Sequence, residues 1–278
     1  MLKKRLITAF CLLPLVVVVV CFDKPLPWLT IFAALWGVLA AMEFYRAVSA
    51  SRQRILPLTV FGLVLTLLFI ISRDSRLLEV LGESFNTNLI NPTLLAATLL
   101  LPFIWLLLRP RGNLYNSWIW TVVGVLYVGW LLGHLVALRG LDHGRDWVLF
   151  VLFVTFASDT AAYFIGRAFG RHPLAPSISP RKTWEGAVGG IIGAIGFGML
   201  LVLILDLPIN YIQAIPLTIA ISIFGQMGDL LESLFKRNVG VKDSGNSMPG
   251  HGGFLDRMDS VVFAGAFVYY YAVVLSGG

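Results

Sequence analysis

The sequence predicts an all-α fold: a polytopic integral membrane bundle of about nine transmembrane helices with its N-terminus in the cytoplasm. Composition is the first ground, since 58% of the 278 residues are hydrophobic, only 13% are charged, and the mean hydropathy is +0.83. A soluble domain carries roughly 25% charged residues and under about half apolar ones. The same figures exclude intrinsic disorder, collagen and a disulfide-rich secreted scaffold. The spacing of the apolar runs and the sorting of Lys and Arg between them are the other two grounds.

A helix needs about 20 apolar residues, in a range of roughly 17 to 25, to cross the hydrocarbon layer. In chain order the candidates are 6–22, 28–45, 55–72, 94–108, 118–137, 147–165, 186–207, 212–234 and 261–275, of which the fourth and ninth are short. The first follows Met1-Leu2-Lys3-Lys4-Arg5, the basic head of a secretory signal. No small-x-small cleavage site follows it, and Val18-Val19-Val20-Cys21 is a poor lipoprotein site, so it reads as a retained span. It also holds both cysteines. Cys11 and Cys21 are ten residues apart, about 15 Å along a helix, which excludes pairing between them and leaves two small apolar side chains. The seventh span carries Gly186, Gly189, Gly190 and Gly193, two small-xxx-small pairs that let helices approach closely within the bundle or across a dimer. A substrate groove floored by glycine is the other use of such a face.

On a soluble chain a net charge of +6 would point to nucleic acid; here it points to topology. Of the 21 Lys and Arg, 16 fall on the N-terminal side of the nine runs and 5 on the other. That bias places the N-terminus and both long basic loops in the cytoplasm. The chain reads as one membrane domain, 1–278, with no long linker, low-complexity tract or repeat.

An aspartate at the centre of a span costs about 2.5–3.5 kcal/mol on insertion scales, so Asp159 in the sixth run and Asp229 in the eighth stand out. Both lie about two turns below the cytoplasmic surface. Each is either a functional carboxylate or a polar residue satisfied by a neighbouring helix. The loop 235–260 is richer, with Lys236, Arg237, Lys242, Gly252, Gly253, Asp256, Arg257 and Asp259. Asp256 and Asp259, three apart, share a face if the stretch is helical and sit at the positive end of the ninth span. Carboxylates at one depth are hard oxygen ligands suited to Mg²⁺, which bridges to substrate phosphates. Glycines let backbone N–H groups approach an anion, and the cations neutralise phosphate oxygens. Arg181, Lys182 and Glu185 repeat the theme at the mouth of the seventh span. Positive-inside topology alone accounts for basic loops; it does not account for acids, glycines and a histidine in the same company. His251 is a general base, a metal ligand or a loop histidine bonding its neighbours. His134 and Trp184 read as a buried helix residue and an interfacial anchor.

The run Ser233-x-Phe235-Lys236-Arg237-x4-Lys242-Asp243-x-Gly245-x3-Pro249-x-His251-Gly252-Gly253-Phe254-x-Asp256-Arg257-Met258-Asp259 resembles the signature of the phosphatidate cytidylyltransferase (CDP-diacylglycerol synthase) family. Ser158-Asp159-Thr160-Ala161-Ala162-Tyr163-Phe164-x-Gly166-Arg167 and Ser179-Pro180-Arg181-Lys182-Thr183-Trp184-Glu185-Gly186 are similar to that family as well. Met248, where the family usually has Ile, Leu or Phe, is a mild departure. The likeness runs from about residue 150 onward; the first 140 residues match only as spans.

The resemblance implies attack of a phosphatidate phosphate oxygen on the α-phosphorus of CTP, with Mg²⁺ required. It implies Asp229 and Asp256 as metal-binding carboxylates, with Asp259 beside them for a second cation. Lys182, Lys236, Arg237 and Lys242 would hold the triphosphate and pyrophosphate, with Arg181, Arg257, Gly252, Gly253, Asp159 and Glu185 around them. The nucleophile is already an ionised phosphate, so His251 orients more readily than it abstracts a proton. The expected partners are CTP, phosphatidate and membrane lipid, in a homodimer of the bacterial-type inner membrane whose active site faces the cytoplasm. Helices of 1–140 would supply scaffold, dimer or lipid contacts and 141–278 the chemistry. Two other readings stand beside this one: a secondary transporter using Asp159 and Asp229 as cation sites, and a cytidylyltransferase for an ether-linked lipid phosphate.

Overall fold

In hydrocarbon a helix satisfies every backbone polar group within its own segment, and the chain takes this solution almost throughout. The computed structural model describes residues 2–51, 58–80, 87–110, 113–241, 243–245 and 252–276. The order is α1 (Leu2–Cys21), α2 (Trp28–Ser49), α3 (Thr59–Ile71), α4 (Ser75–Val80), α5 (Thr87–Leu108), α6 (Leu114–Gly124), a π-helical turn (Val125–Trp130) and α7 (Leu131–Arg139). Then come α8 (Gly144–Phe169), β1 (Pro173–Ala175), β2 (Ser179–Thr183), α9 (Trp184–Ile204), α10 (Tyr211–Val239), a 3₁₀ turn (Leu255–Arg257) and α11 (Asp259–Leu275). Among the described residues, six helices are long and apolar enough to cross a membrane: α2, Leu89–Leu108 in α5, the continuous Leu114–Arg139, α8, α9 and α10. Three shorter apolar helices, Leu12–Cys21, α3 and α11, fall on the remaining apolar runs. Val188, Ile192, Leu203 and Ile204 of α9 stay exposed, a surface suited to lipid and costly in water.

Two local features depart from the sequence expectation. The basic loop after α8 holds an antiparallel hairpin, β1 with β2. It closes on Ala175-Pro176-Ser177-Ile178, where Ile178 N–H donates to Ala175 O at 3.1 Å and proline presets the turn dihedral. α10 runs on to Val239, so Ser233, Phe235, Lys236 and Arg237 are helical rather than loop residues. Lys236 and Arg237 then lie in the last turns, where cations complement the helix dipole.

The chain divides into two compact units, Met1–Gly140 with Asn238–Arg257, and Leu141–Arg237 with Met258–Gly278. In the first, Phe44, Tyr45, Phe69 and Val125 are at most 1% exposed. The Tyr45 ring fills space that Gly62 and Gly124 leave open, and its hydroxyl donates to Thr121 O at 2.9 Å. In the second, α9 lies against α8 through its glycines. A Cβ at Gly186 would meet Gly166 and the Ala162 carbonyl, one at Gly190 would meet Ser158 and Ala162, and one at Gly193 would meet Ala161. The glycine ridge therefore serves packing within the chain. Thr183 caps α9 by accepting from Gly186 N–H at 3.1 Å, which fixes where β2 hands over to the helix.

Candidate active site

In the second unit, α10 carries a polar stripe down one face: Ser222, Gln226, Asp229, Glu232 and Lys236, spaced by three and four residues. Its deeper part is structural. Ser222 and Ser158 share a hydrogen bond of 2.7 Å, and Gln226 Nε2 donates to Ala187 O at 3.2 Å. Gly225 and Gly228 clear the same helix for a close approach. A Cβ at Gly228 would meet the Asp259 carbonyl and Phe263, and one at Gly225 would meet Thr155 and Ser260. The start of α11 thus lies against α10, and Asp259 arrives beside Asp229.

Three carboxylates gather there: Asp229, Glu232 and Asp259 have ligand oxygens within 4.8 Å of one another. Asp159 of α8 faces Asp229 and is hydrogen-bonded by the Ser260 side chain. Two lysines answer the four acids. Lys182 Nζ, delivered by the end of β2, lies 2.7 Å from Asp229 Oδ2, and Lys236 Nζ lies 2.6 Å from Glu232 Oε2 one turn away on α10. Lys236 also faces Asp259, whose carboxylate accepts from the Ser260 N–H at 2.9 Å. Four carboxylates against two ammonium groups repel one another. A hard cation with oxygen ligands fits that donor set.

Around this cluster Arg237 Nε donates to the Ile178 carbonyl of the hairpin turn at 3.3 Å, and Arg181 is exposed on β2. Glu185 does not join the acids. Its carboxylate pairs with His172 Nδ1 at 2.6 Å and accepts from the Arg171 and His172 amides, closing the hairpin base. Of the residues read from sequence, this unit brings together Asp159, Lys182, Asp229, Lys236 and Asp259. Glu232 was missed, although it stands three residues after Asp229 and four before Lys236, the helical spacing that marks one face.

Gly252, Gly253, Asp256 and Arg257 belong to the first unit. Gly252 has φ +80°, a conformation glycine adopts freely. Asp256 Oδ2 accepts from Ser244 N–H at 3.1 Å, Ser244 Oγ–H at 2.9 Å and Gly253 N–H at 2.8 Å. Arg257 is exposed at the end of the 3₁₀ turn. His251 and Lys242 lie outside the described residues.

The model of the cytidylyltransferase family matches residues 3–275. The chain belongs to that family. Among curated relatives, it is 41% identical over 155 residues to the phosphatidate cytidylyltransferase of Bacillus subtilis (strain 168), covering 55% of this chain and 58% of the relative. It is 44% identical over 142 residues to that of Staphylococcus epidermidis, covering 51% and 54%. It is 42% identical over 159 residues to that of Brucella suis biovar 1, covering 56% and 58%. The chain spans a little over half the length of these relatives.

Proposed function

We propose that the chain is a membrane-embedded nucleotidyltransferase that makes CDP-diacylglycerol and pyrophosphate from CTP and phosphatidate. The observation that carries this reading is the meeting of Asp159, Lys182, Lys236 and Asp259, drawn from all three segments that resemble the family, with Asp229 of α10 in one carboxylate–lysine cluster. The named activity of the relatives supports it.

A phosphatidate oxygen attacks the α-phosphorus of CTP, the new P–O bond forms, and the bond to the pyrophosphate oxygen breaks. Nucleotidyl transfer leaves the protein mainly positioning and charge neutralisation. Lys182 and Lys236 are held by carboxylates, and triphosphate oxygens would draw their ammonium groups away. Arg237 and Arg181 add cations at the hairpin. Asp229, Glu232 and Asp259 fit a divalent cation by their oxygen donors; the family signature separately implies Asp256 as a metal-binding carboxylate. Mg²⁺ bound there would neutralise phosphate charge and polarise the phosphoryl oxygens. His251 would orient a phosphate or a water. The excess of Lys and Arg on the N-terminal side supports an active site facing the cytoplasm, where CTP is found.

The deciding experiment supplies purified protein with CTP, Mg²⁺ and phosphatidate and follows pyrophosphate release. The expected result is turnover that Asp256→Asn abolishes. Folded wild-type protein that stays silent overturns the proposal.

A further inference from the structure

Glu43 is the one carboxylate of α2, and it is only 4% exposed. Burying a carboxylate costs several kcal/mol unless it is paired or hydrogen-bonded, so its partners show what it is for. They lie in the signature segment some two hundred residues later. Glu43 Oε2 accepts from Leu255 N–H at 3.1 Å and lies 3.5 Å from Ser244 Oγ. The backbone presses so closely on this carboxylate that a Cβ at Gly245 or Gly253 would run into it. Two turns earlier on the same face, Trp36 Nε1 donates to Phe254 O at 3.1 Å, and its ring meets Phe254 edge-on at 4.9 Å. α2 thus grips the segment at Ser244, Phe254 and Leu255. Ser244 Oγ also donates to Asp256 Oδ2 at 2.9 Å, so one hydroxyl stands between Glu43 and Asp256.

We infer that Glu43 is a positioning residue: by accepting from the Leu255 amide and packing against Ser244, which itself donates to Asp256, it fixes the plane of the Asp256 carboxylate for cation binding. The inference rests on the reading of Asp256 as a metal-site carboxylate. Glu43 is enclosed and acts through the loop. Its partner Ser244 occupies a position that the signature leaves unspecified, between Asp243 and Gly245.

The test measures Mn²⁺ binding to the detergent-solubilised full chain without turnover, from loss of the free-ion paramagnetic resonance signal. Losing a partner that orients a metal ligand typically weakens metal affinity about 10- to 100-fold. Glu43→Ala and Ser244→Ala should each do so, and Glu43→Gln, which keeps an acceptor for Leu255 N–H, should recover part of the loss. The losses in the double variant Glu43→Ala/Ser244→Ala should be less than multiplicative, because both residues act on the orientation of one carboxylate. Fully multiplicative losses, or wild-type affinity in Ser244→Ala and Glu43→Gln together with a folded Glu43→Ala, overturn the inference alone. Wild-type protein that binds no Mn²⁺ overturns the metal reading of Asp256 and this inference with it. Should Glu43→Ala not fold, Ser244→Ala and Glu43→Gln decide.

Discussion

Lys182 Nζ stands 2.7 Å from Asp229 Oδ2, joining the end of a two-stranded hairpin to the middle of α10. Lys182 comes from a signature segment and Asp229 stands four residues before another; the side chains are 25% and 37% exposed, although the Lys182 Nζ itself is enclosed. With the Asp229 side chain partly open, the pair contributes modestly to stability, on the order of 1 kcal/mol. On the proposed function, it holds an ammonium that triphosphate oxygens would draw away, freeing the carboxylate for a cation.

Lys182→Met and Asp229→Asn should accordingly leave the thermal midpoint within a few degrees of wild type while cutting turnover by about 10²-fold or more, the scale of losing one electrostatic stabiliser of a transition state. Thermal melts and pyrophosphate release on the same preparations check this. A parallel collapse of stability and activity would show that the pair is structural.

Glu232 and Lys236 should behave differently. Glu232 is 1% exposed, and its Oε2 lies 2.6 Å from Lys236 Nζ, whose side chain is 15% exposed. Removing one partner of a buried pair costs about 3–5 kcal/mol, with less here because Lys236 retains some solvent. Glu232→Ala should lower the melting temperature clearly, and Glu232→Gln should lower it less. If Glu232 also serves the cation, Glu232→Gln should raise the Mg²⁺ concentration needed for half-maximal turnover. An unchanged Mg²⁺ midpoint in Glu232→Gln would confine the residue to holding Lys236.

The apolar runs and the charge sorting were legible because a membrane span is a property of composition over a window. Asp159 and Asp229 stood out because an ion in an apolar run is costly, and Lys182 and Asp259 because they lie in segments that resemble the family; the structure gathers all four. Glu232 was hidden by where α10 was expected to end. With the eighth run ended at 234 and Lys236 assigned to the loop 235–260, the face shared by Asp229, Glu232 and Lys236 did not show, whereas the helix continues to Val239. The hairpin was hidden because strands of three and five residues carry too little periodicity to stand out within a basic loop. Glu43 stands two residues from the end of the run 28–45, where an acid draws little notice. Its meaning depends on Ser244 and Leu255, and only the fold brings those to α2.

Close packing of α8 on α9 can be tested at two glycines of the same helix. At Gly193 an added Cβ would meet the Ala161 side chain, and the Ala157 carbonyl lies 3.3 Å from it; at Gly196 it would meet nothing within 4 Å. Both positions lie inside a helix, where alanine is favoured over glycine by about 1 kcal/mol. At Gly196 that gain stands unopposed, so Gly196→Ala should be neutral or slightly stabilising. At Gly193 it is set against overpacking of a backbone-close contact, which typically costs about 1–3 kcal/mol. Gly193→Ala should therefore melt lower than Gly196→Ala, and Gly193→Val lower still, because a branched side chain cannot withdraw from Ala161. Detergent melts of the three variants measure the order. If Gly193→Ala and Gly196→Ala melt together, the two helices are farther apart than the glycine contacts indicate, and the ridge is open for another partner.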